Sequence, residues 1–214
     1  SEAIKKLDDF ATNNTPFFLT VGFFRPHTPF VAPKKYFDLY DREKIEIPKI
    51  SSDYLATLPE PAVKSIRAKK NQLNLEKELA QEIKEAYYST ISFVDAQVGR
   101  LLDHLKSSGL DKNTIIVFTS DHGYHMGEHG HWQKQTLFDN ATRIPLIISF
   151  PNMKNKGGIS KSPVELIDLY PTLMDLTGIN IPEHVVGKSL EPLMKNLKAS
   201  VRGSALTRWR KGYS

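Results

Sequence analysis

The pattern of apolar residues along the chain predicts strands and helices in alternation. Between Glu76 and Lys106, apolar residues recur every three or four positions, which predicts one long amphipathic helix. Continuous β-branched and aromatic runs at 114–119 and 144–150 are typical of strands buried on both faces of a mostly parallel sheet. A shorter run at 17–23 predicts a further strand, and 162–177 predicts a second helix. This order predicts an α/β fold, a mostly parallel sheet flanked by helices.

Two segments between these elements carry little periodicity. Residues 31–65 are rich in Pro, Lys and Tyr, which predicts an excursion with little regular structure. Because this excursion begins directly after the loop that carries His27, we expect the region from Val31 to Ala68 to border a binding site. The other segment, 120–134, is polar and rich in His and Gly.

Composition excludes several classes of protein. No apolar run reaches the ~18 residues that a membrane helix needs, so no membrane partner is expected. The net charge is only +5, and the basic stretches 64–70 and 202–211 lack interleaved aromatic residues, so no nucleic-acid partner is expected. The chain has no Cys, hence no thiolate ligand or Cys nucleophile. It begins without Met or a leader pattern, so we expect it to be an internal piece of a longer polypeptide.

Asp121 and His122 are the first candidate site residues. They come directly after the predicted strand 114–119, and ligands of open α/β sheets bind at the carboxyl ends of strands. A carboxylate and an imidazole are suitable ligands for a divalent cation, and Gly123 lets the chain turn beside them. A surface turn capped by the Asp is the alternative.

The histidines of this segment raise the alternative of a zinc site. Four of the seven histidines lie between positions 122 and 131. Gly123, Gly127 and Gly130 interrupt the segment, however, so a single helix that presents two histidines to a metal is not expected. Most of these histidines are therefore interpreted as surface groups or as groups that support the metal ligands.

His27 is the candidate from the other end of the chain. It follows the apolar run 17–23 and stands between Pro26 and Pro29, which places it on a rigid loop at the end of a strand. A histidine in this place could serve catalysis or only cap the strand. Lys134 alone would be interpreted as a solvated lysine, and Trp132 as either a substrate platform or ordinary packing.

Three motifs in a fixed order resemble one family. They are Pro16-Phe17-Phe18-Leu19-x-Val21-Gly22-Phe23-x-x-Pro26-His27-x-Pro29-Phe30; Asp121-His122-Gly123 with Gly127-Glu128-His129-Gly130 and Trp132-x-Lys134; and Glu165-Leu166-Ile167-Asp168-Leu169-Tyr170-Pro171-Thr172 with Gly187-Lys188-Ser189-Leu190. Together they resemble the C-terminal part of the sulfatases of the alkaline-phosphatase superfamily, and most of all the iduronate-2-sulfatase-like branch. The resemblance covers residues 16–213 and implies an alkaline-phosphatase-like fold that lacks its N-terminal strands.

The resemblance implies a role for each candidate residue. Asp121 and His122 match the second pair of ligands to a divalent cation, usually Ca²⁺. Lys134 matches a lysine that binds the sulfate and bridges toward the leaving oxygen. His27 matches a histidine that contacts the sulfate ester and can protonate the leaving alcohol. Trp132, together with His27 and Lys134, is a candidate contact to the substrate.

The chain departs from the family pattern in what it lacks. The first Asp-Asp metal pair, and the Cys-x-Pro-x-Arg or Ser-x-Pro-x-Arg motif whose first residue becomes the formylglycine nucleophile, are not found. They normally precede the His27 block, so we expect them in an N-terminal part that is missing here. Residues 1–200 would then be the C-terminal part of the catalytic domain, and 201–214 the start of a truncated C-terminal subdomain.

The predicted function is that of a sulfatase, a hydrolase of sulfate monoesters on a sulfated carbohydrate, inactive without its N-terminal part. The same resemblance implies a periplasmic, secreted or lysosomal location. Two alternatives remain open: a phosphomonoester or phosphonate hydrolase of the same superfamily, and a fragment that binds sulfated glycans without hydrolysis.

Overall fold

Helices dominate the elements that the computed structural model describes, over residues 1–51, 53–68, 72, 75–209 and 212–213. Two compact units account for them: residues 1–114 with 121–144, and residues 115–120 with 145–214. The helices are α1 (Glu2–Asn13), α2 (Lys34–Phe37), α3 (Glu60–Arg67), α4 (Lys77–Ser107), α5 (Asp139–Thr142), α6 (Leu169–Thr177) and α7 (Glu191–Lys195). The strands are β1 (Ile116–Thr119), β2 (Leu146–Ser149), β3 (Arg208–Trp209) and β4 (Gly212–Tyr213). No described helix is both long and apolar enough to cross a membrane.

The first unit is organised by α4, whose predicted extent is confirmed to within one residue at each end. Its buried side coincides only in part with the predicted apolar stripe: Leu105 is buried and Tyr87 packs against the core, whereas Leu79 and Ile91 are exposed. Ala80 is buried instead and packs with Met126 and Trp132 in the core of this unit.

Polar residues on the buried side of α4 explain the difference. Gln81 donates from Nε2 to the carbonyl of Ile45 at 3.0 Å, and Glu85 accepts from Arg42 at 2.6 Å. The carbonyl of Ile45 lies outside regular helix or strand, so it needs a side-chain partner, and Arg42 contributes an ion pair from the same segment. Part of α4 therefore packs against a loop through polar contacts.

The excursion after His27 has more helix than predicted. Short turns at 42–44 and 54–57 fit the expectation of little regular structure. Helix α3, however, has eight residues and buries Ile66 at 1% exposure. It begins with Pro61 in its first turn, where a missing N–H costs nothing.

The second unit contains both long strands that the sequence predicted, each shorter than the apolar run. β1 and β2 pair antiparallel, with Ile116 opposite Ser149, within a fold predicted to have a mostly parallel sheet. The expected burial on both faces is also incomplete, because Phe118 is 40% and Ile147 60% exposed. Continuous apolar runs report burial and not strand direction, and mostly parallel sheets can carry an antiparallel strand.

Two further element predictions were wrong: one strand is not formed, and one helix is shorter than predicted. Residues 17–23 form no strand, because a strand requires a ladder of hydrogen bonds to a neighbour and this segment makes none among the described residues. The predicted helix 162–177 begins only at Leu169, after a turn at 166–168. The delay has a local cause, since Glu165 and Asp168 form a reciprocal cap that fixes the start of the turn.

A buried ion-pair network holds the second unit around α6. Asp168 is fully buried, bonds to Arg202, and accepts a hydrogen bond from the backbone N–H of Lys188 at 2.8 Å. Glu165 also accepts from Arg202, at 2.5 Å. The Asp carboxylate therefore fixes the segments around 188 and 202 against α6, which explains why the third sequence motif contains it.

Candidate active site

Asp121 and His122 present their donor atoms to one point. The backbone N–H of His122 donates to Asp121 Oδ1 at 3.1 Å, and Asp121 Oδ2 lies 3.4 Å from His122 Nε2. His122 Nδ1 is 2.8 Å from the carbonyl oxygen of Gly123, which can only accept, so Nδ1 carries the proton. Nε2 is then the nitrogen with a lone pair, the arrangement in which a backbone carbonyl orients a metal-binding imidazole. This tautomer is compatible with the prediction that the two residues are metal ligands.

Gly123 is required by close packing behind this pair. Its N–H donates to the carbonyl of Ala141 at 2.8 Å, and a Cβ at this position would lie 2.1 Å from the carbonyl oxygen of Asn140. Both neighbours are backbone atoms that cannot move aside independently. The loop therefore contacts the start of α5 so closely that only glycine fits.

The following residues form a small hairpin. The N–H of His125 donates to Gln133 O at 2.9 Å, and that of Gly127 donates to His131 O at 3.0 Å. Gly127 and His129 both adopt positive φ, at 104° and 59°, which closes the turn. The hairpin thus sets the direction in which the chain leaves toward Lys134.

Imidazole rings fill the inside of the hairpin. His125 is 0% exposed and bonds through Nε2 to Thr136 Oγ1 at 2.8 Å, while His131 is 2% exposed with its ring centre 5.0 Å away. Burial, followed by repulsion from His131 and His129, lowers the pKa of His125 to about 3. Burial lowers the pKa of His131 as well. These rings are neutral packing groups at neutral pH, so of the two interpretations offered for them, surface groups or groups that support the metal ligands, the first is wrong for His125 and His131.

His129 completes the cluster at its edge. Its ring stacks on Phe138 at 4.0 Å between centroids, and its Nδ1 bonds to the hydroxyl of Tyr54. In the part of the chain that the structure describes, no group of three or more His, Asp or Glu side chains is arranged to hold a metal ion. These histidines therefore support the loop, and Asp121 and His122 remain the predicted metal ligands.

Trp132 and Lys134 lie at the end of the hairpin. Trp132 is only 8% exposed and packs against Met126 and Ala80, which is the packing role that the sequence left open. A contact between Trp132 and substrate stays a prediction. Lys134 is half-buried, and its carbonyl accepts from the N–H of Thr136 at 2.8 Å in the turn that follows.

His27 lies on an exposed loop whose shape depends on Arg25. The guanidinium of Arg25 donates from Nε to Val31 O at 3.0 Å and from Nη1 to His27 O at 3.3 Å, and so ties the two ends of the loop together. His27 Nδ1 lies 2.8 Å from the carbonyl oxygen of Thr28. Nδ1 therefore donates to this carbonyl, and Nε2 is the atom that can exchange a proton with a ligand.

Tyr87 of α4 brings the two loops together. Its ring contacts Phe30, three residues after His27, at 5.4 Å, and Tyr124, two residues after His122, at 5.6 Å. Phe30 and Tyr124 also contact each other at 6.1 Å. Burial raises the pKa values of both tyrosines, so both rings stay neutral. The two sequence-predicted blocks, 91 residues or more apart in the chain, thus share one aromatic cluster.

Sequence reasoning missed Arg25 and Tyr87. The pair Arg25-Pro26 next to His27 was a usable signal for Arg25, since an arginine can bond several carbonyls of a short loop. Tyr87 gave no separate signal, because an aromatic residue at helical spacing is indistinguishable from any other member of an apolar stripe.

Comparison with known proteins identifies the family of this chain. The family model described as Sulfatase matches residues 2–179. A sulfatase of Formosa agariphila is 42% identical over 188 residues, which cover 84% of this chain and 36% of that protein. Iduronate 2-sulfatase of Homo sapiens is 34% identical, over 85% of this chain and 39% of that protein. The chain therefore spans well under half the length of these relatives.

Solved structures confirm the predicted α/β, alkaline-phosphatase-like and sulfatase-like fold. A phosphonate monoester hydrolase from Silicibacter pomeroyi superposes with a TM-score of 0.77 and 32% identity, over 99% of this chain and 43% of that one. Because only 43% of that protein is covered, this chain corresponds to part of its fold. With the family model matched over most of its residues, this chain belongs to the sulfatase family.

Proposed function

We propose that the complete protein hydrolyses sulfate monoesters on a sulfated carbohydrate, with a divalent cation and a formylglycine nucleophile, and that this chain supplies half of the site. The observation that carries the proposal is the shared aromatic cluster at Tyr87, because it holds the His27 loop and the Asp121-His122 loop side by side. Membership of the sulfatase family supports the reaction class. The nucleophile and the remaining metal ligands would come from the N-terminal part of the same enzyme.

Asp121 and His122 are proposed to hold the cation, and Ca²⁺ is proposed because the sulfatases that the sequence resembles usually bind it. Hard cations such as Ca²⁺ prefer oxygen ligands and take six to eight of them, which leaves room for carboxylates from elsewhere. A bound Ca²⁺ would stabilise negative charge on the ester oxygens. The contribution of this chain is orientation, since the Gly123 carbonyl fixes the tautomer of His122.

His27 and Lys134 are proposed to act on the ester itself. Cleavage leaves negative charge on the departing alcohol oxygen, and a positioned acid that protonates it accelerates the reaction. The proton would be held at Nε2 of His27, because Nδ1 is engaged with Thr28 O. Lys134 would place a fixed positive charge on the sulfate.

Region 31–68 is proposed to border the entrance for the carbohydrate. It leaves the loop of His27 directly, is rich in Lys and Tyr, and packs against α4 through Tyr36 and Tyr40. Substitutions here should change KM or substrate choice more than the chemical step.

Hydrolysis of a phosphonate or phosphate monoester is the second candidate. The superposition on a phosphonate monoester hydrolase favours it. A divalent cation held by an Asp-His pair could bind a phosphonate or phosphate ester as well as a sulfate ester. Binding of sulfated glycans without hydrolysis is a third candidate function. A turnover assay on the complete protein distinguishes it from the other two, because a binding protein would release no product.

The test uses the full-length protein with 4-nitrophenyl sulfate, 4-nitrophenyl phosphate and a phenylphosphonate monoester. A sulfatase should show its highest kcat/KM on the sulfate. Asp121→Asn should lower turnover and bound Ca²⁺ together, while the exposed Asp103→Asn on α4 should change neither. A higher kcat/KM on the phosphonate would replace the proposal by the second candidate. Full Ca²⁺ content in Asp121→Asn would remove Asp121 from the metal site.

A further inference from the structure

A groove lies beside the aromatic cluster, between α4 and the segment that follows α2. It has a volume of about 520 Å³, in the range of small-molecule sites. Its walls combine apolar and aromatic side chains with charged ones, among them Tyr40, Ile45 and Tyr88, and Asp41, Lys44 and Lys84. We propose that this groove is a saccharide subsite, which binds a sugar unit next to the one that carries the reacting sulfate. This inference rests on the proposed function.

The aromatic residues of the groove suit the apolar face of a sugar ring. The rings of Tyr40 and Tyr88 lie 5.6 Å apart and are tilted, so that they form adjoining walls. The hydroxyl of Tyr40 is engaged with Ser92 Oγ at 2.6 Å, which holds that ring in place. Rigid aromatic side chains provide contact area at little cost in conformational entropy.

The charged residues suit hydroxyl and sulfate groups. Lys84 Nζ donates to the carbonyl of Glu46 at 2.8 Å and lies 5.8 Å from the centre of the Tyr88 ring. An ammonium group has three protons, so Lys84 can donate to a ligand while it keeps this bond. Asp41 and Lys44 form an ion pair at 2.7 Å, which presents an acceptor and a donor together. Neighbouring sugar hydroxyls both donate and accept, and they match this mixture better than a simple anion does.

The groove adjoins the aromatic cluster that contacts both loops of the candidate active site. Tyr88 is next to Tyr87 in α4, and their ring centres are 6.5 Å apart. Tyr87 in turn contacts Tyr124, close to His122, at 5.6 Å. Two ring contacts, Tyr88 to Tyr87 and Tyr87 to Tyr124, therefore connect the groove to the loop that carries Asp121 and His122. A polymeric substrate that reaches the ester site can extend into the groove, whereas a single sugar cannot fill both.

The test compares long and short substrates in the full-length enzyme. The probes are tetrasaccharides of heparin, chondroitin sulfate and ulvan, the matching sulfated monosaccharides, and 4-nitrophenyl sulfate. Tyr88→Leu should raise KM for the preferred tetrasaccharide about fivefold to tenfold, the loss of one aromatic contact. Its kcat, and both constants on the monosaccharide and on 4-nitrophenyl sulfate, should stay within twofold. Lys84→Met should act in the same direction without risk to the fold, because it truncates no packed ring.

The control is Tyr170→Leu, which removes a half-exposed tyrosine from α6, outside the groove. Thermal melts confirm that each variant is folded. Equal losses on long and short substrates, or no loss in either groove variant, would overturn the subsite. If the wild-type enzyme turned over no sulfate ester, the proposed function would fail separately. Calorimetry with the three tetrasaccharides would then decide the subsite: weaker binding by Tyr88→Leu supports it, and no binding by wild type overturns it.

Discussion

The two loops that carry the candidate site residues are held in opposite ways. In the loop 121–134, buried histidine rings, a close backbone contact at Gly123 and a hairpin fix nearly every residue. In the loop 25–31, Phe30 packs against Tyr87, but His27 is exposed, and two hydrogen bonds from Arg25 tie the backbone of the loop. The first loop therefore has more buried contacts than the second, although the Asp121 side chain at its start is exposed.

This difference matches the proposed division of labour. A group that stabilises developing charge acts best when it is fixed before the reaction, so that no reorganisation is needed. A proton donor must reach the leaving oxygen of a substrate that enters and leaves, and exposed loops adjust more readily. The comparison predicts that damage to the first loop costs stability and activity together, while damage to the second costs mainly the protonation step.

The largest effect is expected from His27→Ala in the full-length enzyme. If His27 protonates the leaving alcohol, kcat/KM on a sugar sulfate should fall on the order of 10²–10⁴-fold. The loss on 4-nitrophenyl sulfate should be much smaller, because a nitrophenolate leaves without protonation. Stability should stay unchanged, since the side chain is exposed. Steady-state kinetics on the two substrates measure the contrast.

Lys134→Ala provides the comparison with His27→Ala, because its loss of activity should not depend on the leaving group. A fixed charge on the sulfate acts whatever the leaving group, so Lys134→Ala should reduce kcat/KM on both substrates to a similar degree. Equal losses for His27→Ala on the two substrates would remove the acid role and leave His27 as a binding residue.

Gly123→Ala should produce the largest loss of stability. The added Cβ would lie 2.1 Å from the carbonyl oxygen of Asn140, so backbone must shift, and overpacking of this kind costs roughly 2–3 kcal/mol of unfolding free energy. The shift would also disturb the Gly123 carbonyl that orients His122, so activity should fall with stability. Urea unfolding and turnover of the full-length protein measure both.

Gly99→Ala in α4 is the matched control. A Cβ there meets nothing within 4 Å, and alanine favours helix over glycine by roughly 0.5–1 kcal/mol. It should therefore leave stability unchanged or raise it. If Gly123→Ala were as stable as Gly99→Ala, the loop 121–134 would not be the rigid member of the comparison.

A smaller loss of stability is expected from acid. The folded-state pKa of His125 is about 3, below its ordinary value of 6.5, because the ring is buried beside two other histidines. Between these values the unfolded chain binds the proton and the folded one does not, so stability falls as the pH falls below 6.5. One pH unit corresponds to about 1.4 kcal/mol, which gives a loss of about 2 kcal/mol between pH 6.5 and pH 5.

His125→Gln isolates this contribution, since the amide does not titrate and can still bond to Thr136. Unfolding free energies of wild type and variant at pH 7.5, 6.5 and 5 should diverge only below pH 6.5, with the steeper decline in the wild type. Parallel curves would mean that His125 takes up its proton in the folded state, against the buried geometry.

Elements defined by local pattern were predictable from the sequence. The long helix α4 and the strands β1 and β2 follow directly from periodicity. The relative direction of β1 and β2 was not predictable, because a continuous apolar run has the same pattern in a parallel and in an antiparallel strand. The run 17–23 has strand composition without a described partner, and hydrogen bonding to a partner cannot be read from the segment itself.

The sequence predicted which residues are candidates for the site, but not which side chains around them are buried or what they contact. The motifs named Asp121, His122, Lys134 and His27, whose assigned roles stay predictions. That Trp132 lies in the core, and that His125 and His131 are buried without charge, depends on contacts with distant segments such as α4 and α3. Such contacts are set by tertiary packing, which no local pattern encodes.

The smallest expected effect distinguishes positioning of His27 from general stability. Arg25→Gln removes the hydrogen bonds to His27 O and Val31 O, and bonds of this kind contribute about 1 kcal/mol each, less at the surface. In the full-length enzyme we expect a threefold to tenfold fall in kcat on a sugar sulfate, on the order of the free energy of one such bond, with little change in KM or in the melting temperature. If Arg25 acts through His27, the loss should nearly vanish on 4-nitrophenyl sulfate, and Arg25→Gln should add almost nothing in a protein that already carries His27→Ala. The exposed Arg100→Gln on α4, which loses a bond to Gln97, serves as the control and should leave kcat unchanged. Additive losses in the double variant would show that Arg25 works independently of His27, and the loop 25–31 would then owe its shape to other contacts.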